Sequence, residues 1–306
     1  MLSRLTTSKK KSKSRFRNIL SKATFIAKNV IYIKSFTQKI NNNISKSKSI
    51  FIDYPLKPKV NFWVDKINVK IVKGRDPLIR EAQKLRFQNF FEENNNSNKV
   101  DSDMFDNICD HLVVIDTNIS ENFVVGTYRL LLTEDFSTNY KMYTETEFNL
   151  SNLKKGNRKI LEAGRSCVHP NYRDGRIIRL LWRGLASYIS QTKADYIIGC
   201  ASFNEVNPQK IKNELSFLHH FHKAPKEITA TAIESKAAIW DMVKIEKINV
   251  RSVFKSLPPL IKAYLRVGSW IGDGAVVDEE FKTIDVCIIL ETKKILAKYI
   301  NMASKN

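Results

Sequence analysis

The stretch ILEAGRSCVHPNYRDGRIIRLLWRGLASYIS, residues 160–190, decides the architecture. Its opening, ILEAGRSCV, is mostly apolar or small and reads as a β-strand; HPNYRDGR is rich in turn formers, and IIRLLWRGLASYIS reads as a helix. A second strand, DYIIGCAS (195–202), follows. Strand, helix, strand in this order belongs to a mixed α/β sheet. The first strand also carries Glu162, Arg165, Cys167 and His169. These four raise the question of whether a structural strand doubles as an active site.

Outward from this unit the alternation continues. Upstream, DPLIREAQKLRFQNFFEEN (76–94) is a helix with Leu78, Ala82, Leu85 and Phe90 near one face, and NNNSNKVDSDMFDN (94–107) is a polar loop. HLVVID (111–116) and FVVGTYRLLL (123–132) are strands, and the short TNISEN between them predicts a hairpin. Downstream come a helix near NPQKIKNELSFLHHFH (207–222), a helix over AAIWDMV (237–243) and a late strand, DVCIIL (285–290).

The 306 residues carry 51 Lys and Arg against 31 Asp and Glu, a formal +20, with 43% hydrophobic residues. Fifteen of the basic residues and one acid, Asp53, lie within residues 1–60. The basic excess is therefore a property of a tail, residues 1–60, ahead of one large domain, 61–306. In that tail Phe16, Ile19, Leu20, Ala23, Ile26, Ala27, Val30 and Ile31 fall on one helical face after the KKKSKSRFR cluster. This is the pattern of a segment on an anionic membrane surface; an organellar transit peptide shares some of its features. Lys22 and Lys28 break any signal-peptide core, and no apolar run approaches the roughly 20 residues that span a bilayer. Cys109, Cys167, Cys200 and Cys287 are widely spaced without a CxxC pair, which suits a reduced compartment and no zinc knuckle. No nucleic-acid-binding motif accompanies the charge, so no nucleic-acid partner is expected.

The segments KLRFQNFFEE, FDNICDHLVVID, VVGTYRLL, YTETEFNLS, the 160–190 stretch, YIIGCASF, LSFLHHFHKAP and LPPLIKAYLRVGSWIGDGAVVDEEF keep the order found in one family. From about residue 62 to 300 the chain resembles the bacterial ornithine-lipid N-acyltransferases, GNAT-fold relatives of the acyl-homoserine-lactone synthases. The resemblance implies a GNAT-like acyltransferase domain. It also implies transfer of a fatty acyl group, commonly 3-hydroxylated, from acyl carrier protein to the α-amine of L-ornithine, giving a lyso-ornithine lipid. The donor's phosphopantetheine thioester would be a co-substrate, with no further cofactor. The setting implied is the bacterial cytoplasm, at or near the cytoplasmic face of the inner membrane. An acyl-homoserine-lactone synthase would use S-adenosylmethionine as acceptor; LPPLIKAYLRVGSWIGDG (257–274) favours the lipid-forming family instead.

Acyl transfer to an amine needs a group that takes a proton from the ammonium, and Glu162 is the candidate. Its partner Arg165 lies three residues on, which in a regular strand puts the two on opposite faces unless a bulge intervenes; Gly164 is the expected place for it. The related synthases also place a Glu and an Arg three apart on this strand, at positions corresponding to Glu162 and Arg165. Cys167 and His169 invite a nucleophile reading, but thioester-to-amine transfer needs no covalent intermediate, and packing is the better role for Cys167.

Arg86, Arg129 and Arg165 are candidates for carboxylate or phosphate recognition, and Asp103, Asp106 and Asp110 for the side-chain ammonium of ornithine. The GNAT phosphate loop, R-x-x-G-x-G, is degenerate here. Arg173 matches, while Arg176 and Ile178 hold the glycine positions and Gly175 is shifted by one. Arg173, Gly175 and Arg176 are the expected donor-phosphate residues, a set better suited to carrier-bound pantetheine than to coenzyme A. His219, His220 and His222 cannot share one helix face, so no metal is expected, and Asp241 has no assigned role.

Overall fold

The computed structural model describes residues 58–91, 99–133 and 141–295. The chain divides into two units, Met1–Leu56 and Lys57–Asn306. The first unit, with the amphipathic pattern of the tail, lies outside the described residues.

The elements in chain order are β1 (Asn61–Val64), β2 (Ile67–Val72), α1 (Pro77–Phe90), β3 (Asp110–Asp116), β4 (Val124–Leu132), β5 (Phe148–Asn149), α2 (Ser151–Lys154), β6 (Ile160–Val168) and α3 (Arg176–Thr192). Then come β7 (Tyr196–Phe203), α4 (Lys212–His222), β8 (Thr231–Ala232), α5 (Val250–Ser256), α6 (Pro259–Arg266), β9 (Trp270–Ile271), β10 (Val276–Asp278) and β11 (Thr283–Glu291). The main sheet runs β1-β2-β3-β4-β6-β7-β11-β10, with β9 also paired to β11. Only β6 and β7 are parallel, as the helix α3 between them requires. The predicted hairpin is β3 and β4; a preceding hairpin, β1 and β2, extends the sheet where no strand was anticipated.

Alternation along the strands sorts two buried faces. Leu112, Val114, Tyr128, Leu130, Leu161 and Ala163 pack with Leu181, Leu185, Tyr188 and Ile189 of α3. Gly184 allows this approach, since a Cβ there would lie 2.8 Å from Leu112 Cδ1. On the other face Val113, Ile115 and Cys167 pack with Leu78, Ile79, Ala82 and Leu85 of α1. Asp76 starts α1 by accepting from Leu78 N at 2.9 Å, with Pro77 at the first helical position. Farther along that face Met142, Phe148, Leu150, Leu153, Ile160, Ile198, Cys287 and Ile289 make a separate apolar cluster. Between the two clusters the face is polar.

Two expectations are corrected. The segment 237–243 is not a helix: Ala237 bridges to Val276 and Ala238 N donates to Ala275 O at 2.8 Å, so the edge of β10 holds it extended. Asp241, on this segment, is exposed. The helix over 207–222 begins instead as a separate 3-10 turn, Pro208–Ile211, before α4. The hydrophobic 257–274 segment turns inward as α6 and β9, burying Leu257, Ile261, Tyr264, Leu265 and Ile271. No helix among the described residues is long and apolar enough to cross a membrane.

Candidate active site

The parity conflict between Glu162 and Arg165 is resolved by a bulge. Along β4 and β6, Thr127 pairs with Cys167 but Arg129 pairs with Gly164, so β6 carries one extra residue. The left-handed residue is Arg165 itself, at φ 51°, and not Gly164. A non-glycine residue in this region costs on the order of 1 kcal/mol, which the surrounding contacts of Arg165 must outweigh. In consequence Glu162, Arg165 and Cys167 all address the α1 face, while Ser166 meets Tyr128 on the other.

Next to the bulge the sheet opens. The β6–β7 ladder ends at Glu162 opposite Ile198, although both strands continue. At Gly199 a Cβ would sit 2.4 Å from Ala163 O, so the backbones are still in contact at the apex. Beyond it, β6 has no ladder partner on that side among the described residues, and Cys200 and Ser202 of β7 become half-buried and exposed. Strand-edge backbone groups line this wedge.

Glu162 is buried, and it meets neither Arg129 nor Arg165. Its Oε2 accepts from Tyr143 N at 3.1 Å, and its Oε1 accepts from Thr144 N and Thr144 Oγ1, each at 2.6 Å. The carboxylate thus caps a 3-10 turn, Tyr143–Thr146, and fixes it over β6. Three donors leave one of roughly four carboxylate acceptor directions open.

Arg165 belongs to a closed ring of alternating charge. Arg86 Nε donates to Asp101 Oδ2 at 2.7 Å, and Asp101 Oδ2 lies 3.1 Å from Arg165 Nε. This second contact is an ion pair by distance, without the N–H aimed at the oxygen. Arg165 Nη2 donates to Asp103 Oδ2 at 3.1 Å, and Asp103 Oδ1 accepts from Arg129 Nη1 at 2.6 Å. Arg129 Nη1 lies 3.5 Å from Asp106 Oδ1, and Asp106 closes the ring with a bidentate bond to Arg86, at 2.7 and 2.9 Å. The guanidinium of Arg165 also lies 4.6 Å from the Tyr143 ring centre and 4.5 Å from that of Phe281.

Burial alone would raise the Asp106 carboxyl, but the hydrogen bond and charge of Arg86, with Arg129, hold it well below the usual range. Burial opposes the Arg165 charge, while Asp101, Tyr143 and Asp103 more than restore it.

This geometry alters three roles read from sequence. Arg86 is fully buried and spends its donors on Asp101 and Asp106, so the structure places it as an organiser of the ring rather than at an open recognition site. Asp103 and Asp106 face arginines, which already neutralise them. Asp110 lies elsewhere, bonded to Tyr188 OH at 2.9 Å and 3.3 Å from Lys73 Nζ. Asp101, which joins Arg86 to Arg165, went unnoticed in the polar loop.

Cys167 packs in the core, where burial pushes its thiol up to about 12, so it is no ready nucleophile. His169 caps the turn after β6, its Nδ1 accepting from Asn171 N at 3.3 Å. Arg173 bonds Asn89 Oδ1 at 2.5 Å and Val168 O at 3.3 Å. Gly175, at φ 89°, caps α3, and Arg176 is exposed at its start beside Asp174. Among the histidines, His220 contacts Val243 O at 2.9 Å, His219 lies 3.8 Å from Asp273, and His222 packs on Phe217.

A second acidic group shares the face. Glu147, directly after the 3-10 turn, meets Cys200 of β7 and Asp285 of β11, their ligand atoms all within 4.8 Å of one another. Neither Glu147 nor Asp285 was singled out from sequence. The available signal was an acid opening the otherwise apolar strand DVCIIL.

Comparison with known proteins agrees with this reading of the fold. Residues 85–183 match the acetyltransferase (GNAT) domain family, which covers the ring arginines, β6 and the start of α3. Among solved structures the chain resembles AHL synthase LasI, at 14% identity and TM-score 0.39 over 74% of this chain and 90% of that one. It also resembles FeeM, an N-acyl amino acid synthase from uncultured soil microbes, at 8% identity and TM-score 0.43 over 74% and 92%. Curated relatives named L-ornithine N(alpha)-acyltransferase align at 39% identity in Brucella abortus (78% of this chain, 89% of that protein). In Agrobacterium fabrum the identity is 40% (73% and 80%). With a GNAT domain and relatives this similar over most of both chains, the protein is an acyltransferase and belongs to the L-ornithine N(alpha)-acyltransferase family.

Proposed function

We propose that the chain transfers a fatty acyl group from the pantetheine thioester of acyl carrier protein to the α-amine of L-ornithine, forming lyso-ornithine lipid. Family membership supports the acceptor. The observation that carries the site assignment is the bulge at Arg165, which sets Glu162 and Arg165 on one face beside the wedge between β6 and β7.

The thioester lies in the wedge, and Glu162 takes a proton from the α-ammonium through its open acceptor direction. The amine nitrogen attacks the carbonyl carbon; the C–N bond forms and the C–S bond breaks. As the C–S bond breaks the nitrogen sheds its second proton; one of the two protons ends on the departing thiolate, giving the pantetheine thiol, and the other passes to solvent. Backbone N–H groups at the bulge are placed to hold the developing oxyanion. Arg165, held by Asp101 and Asp103, fixes the edge of the site beside Glu162. Because the thioester already activates the acyl group, no bound cofactor is called for.

For the donor, the exposed Arg176 and the glycine-capped start of α3 suit a pantetheine phosphate. Outside the tail 36 Lys and Arg face 30 Asp and Glu, a basic balance that suits a strongly acidic carrier, with association that weakens as salt rises. The tail, residues 1–60, would hold the enzyme at the cytoplasmic face of the bacterial inner membrane. Deleting residues 1–50 should then abolish co-sedimentation with anionic liposomes while sparing transfer in detergent.

The test is the purified protein with ornithine and either 3-hydroxyacyl carrier protein or the matching acyl-coenzyme A, with products read by mass spectrometry. N-acyl-ornithine formed chiefly from the carrier-bound donor, at a rate that falls with ionic strength, is expected. Absence of acyl-ornithine with both donors would contradict the acceptor, and equal use of coenzyme A would contradict the donor.

A further inference from the structure

We infer that Glu147 and Asp285 form the subsite for the side-chain ammonium of the acceptor, and so choose a diamino acid over a neutral one. The inference rests on the proposed function and names a part of its site that the sequence assigned elsewhere.

The acids expected to meet this ammonium, Asp103 and Asp106, are occupied by three arginines. Glu147 and Asp285 are in the opposite condition. Both are buried, 2% and 5% exposed, and no Lys, Arg or His side chain is paired with either among the described residues. Glu147 Oε2 is buried without any hydrogen-bond partner. An anionic oxygen shut away from water and left unpaired is costly unless a cation or a proton completes it.

The surroundings leave that position open. The hydrogen-bond donors of the pair are all neutral: Thr283 Oγ1, 2.8 Å from Asp285 Oδ1, and Ser202 for Asp285, and Tyr143 and Cys200 for Glu147. Cys200, on β7, faces both carboxylates, and its thiol is pushed well up by burial, Glu147 and Asp285, so it adds no positive charge. The other titratable groups near the pair are Asp278 on β10, Cys287 on β11, Tyr143 on the turn, and Glu162 on β6. The charge of Arg165, which belongs to the ring, acts on Asp285 without pairing with it. Tyr143 OH lies 3.4 Å from Asp278 Oδ2, which ties that third acid to the same wall.

Access comes from the wedge, where Ser202, beside Asp285 in the β7–β11 register, is exposed and Cys200 half-buried. An acceptor whose α-amine approaches Glu162 can extend along β7 toward this pair. Burial, Asp285 and Asp278 raise the Glu147 carboxyl to about 7. In the empty site, then, a proton partly replaces the missing cation. A divalent metal is the competing occupant for the same three ligand atoms.

The deciding experiment compares ornithine with norvaline, which keeps the α-amino acid and three-carbon chain but lacks the side-chain amine. The ratio of their kcat/KM values is measured for the wild type, Glu147→Gln and Asp285→Asn with the same carrier-bound donor. Wild type should prefer ornithine by 100-fold or more, and each variant should bring the ratio within a fewfold of one, mainly through a higher KM for ornithine. Turnover of norvaline and a single cooperative thermal transition, with a midpoint no lower than the wild type's, report that the variants are folded.

A ratio that stays at the wild-type value in folded variants would overturn the assignment. So would stoichiometric binding of zinc or manganese that Glu147→Gln removes without altering the ratio. Failure of the wild type to acylate ornithine with any donor would instead overturn the functional reading beneath it.

Discussion

Two acidic clusters share one face of the sheet and behave in opposite ways. Around Arg165, three arginines alternate with Asp101, Asp103 and Asp106 in a closed ring, and each carboxylate has its counter-charge. Around Cys200, Glu147 and Asp285 are as deeply buried but have no such partner among the described residues. A satisfied cluster fixes geometry; an unsatisfied one is held ready for something that arrives. Both clusters are built from buried carboxylates, so it is the presence or absence of cationic partners that separates scaffold from receptor.

The contrast breaks most visibly at Arg86. Replacing it by leucine strips Asp101 and Asp106 of their shortest charge-assisted bonds and leaves them buried with only the longer contacts to Arg165 and Arg129, which should cost about 3 kcal/mol of stability. A loss below about 1 kcal/mol in equilibrium unfolding would mean that the ring is ornamental. Glu162→Gln comes next. The fold should survive, because an amide oxygen still caps part of the turn, while transfer to ornithine falls about 100-fold, equivalent to about 2.7 kcal/mol. Near-normal turnover of the folded variant would remove Glu162 from the proton transfer.

Glu147→Gln sharpens the comparison through pH. A carboxyl whose folded pKa is raised contributes stability at low pH that is lost as pH rises from its unfolded value, near 4.5, through about 7. The ligand-free variant should therefore be more stable than the wild type at pH 8, by about 3 kcal/mol, and similar to it at pH 4. Asp106 has the opposite sign. Held below the usual range by Arg86, it stabilises at neutral pH and loses that contribution as pH falls below about 4. Equal denaturant midpoints for wild type and Glu147→Gln at pH 8 would contradict the strained state of the pair. The smallest effect belongs to Asp110→Asn, which disturbs a contact with half-exposed Lys73 and one tyrosine bond; it should cost about 1 kcal/mol or less. A large loss of ornithine selectivity in Asp110→Asn would return that residue to the site.

Much of this fold was legible in the sequence because its core strands and helices carry strong local patterns. The β3–β4 hairpin, β6, α3, β7 and β11 follow from apolar runs bounded by turns. Where local pattern and tertiary pairing disagree, reading fails: AAIWDMV looks helical but is held extended by Ala275 and Val276. The site was half legible. Parity alone required a bulge between Glu162 and Arg165, yet its residue was misplaced, since strand pairing forces Arg165 and not the more permissive Gly164 into the left-handed region. The acidic loop suggested an ammonium site, but no sequence pattern shows that its aspartates face three arginines arriving from α1, β4 and β6. Glu147 and Asp285 lie far apart in the chain and meet only because a turn folds over β7 and β11.

The most direct measurement is the pH dependence of kcat/KM for ornithine in the wild type and in Glu147→Gln between pH 6 and 8. An ammonium and a proton compete for the same carboxylate pair. The wild type should therefore gain efficiency as pH rises through about 7, beyond the gradual gain from the α-amine itself, and Glu147→Gln should show only the α-amine's part. Parallel profiles, with the same slope in both proteins, would contradict the receptor role of the pair.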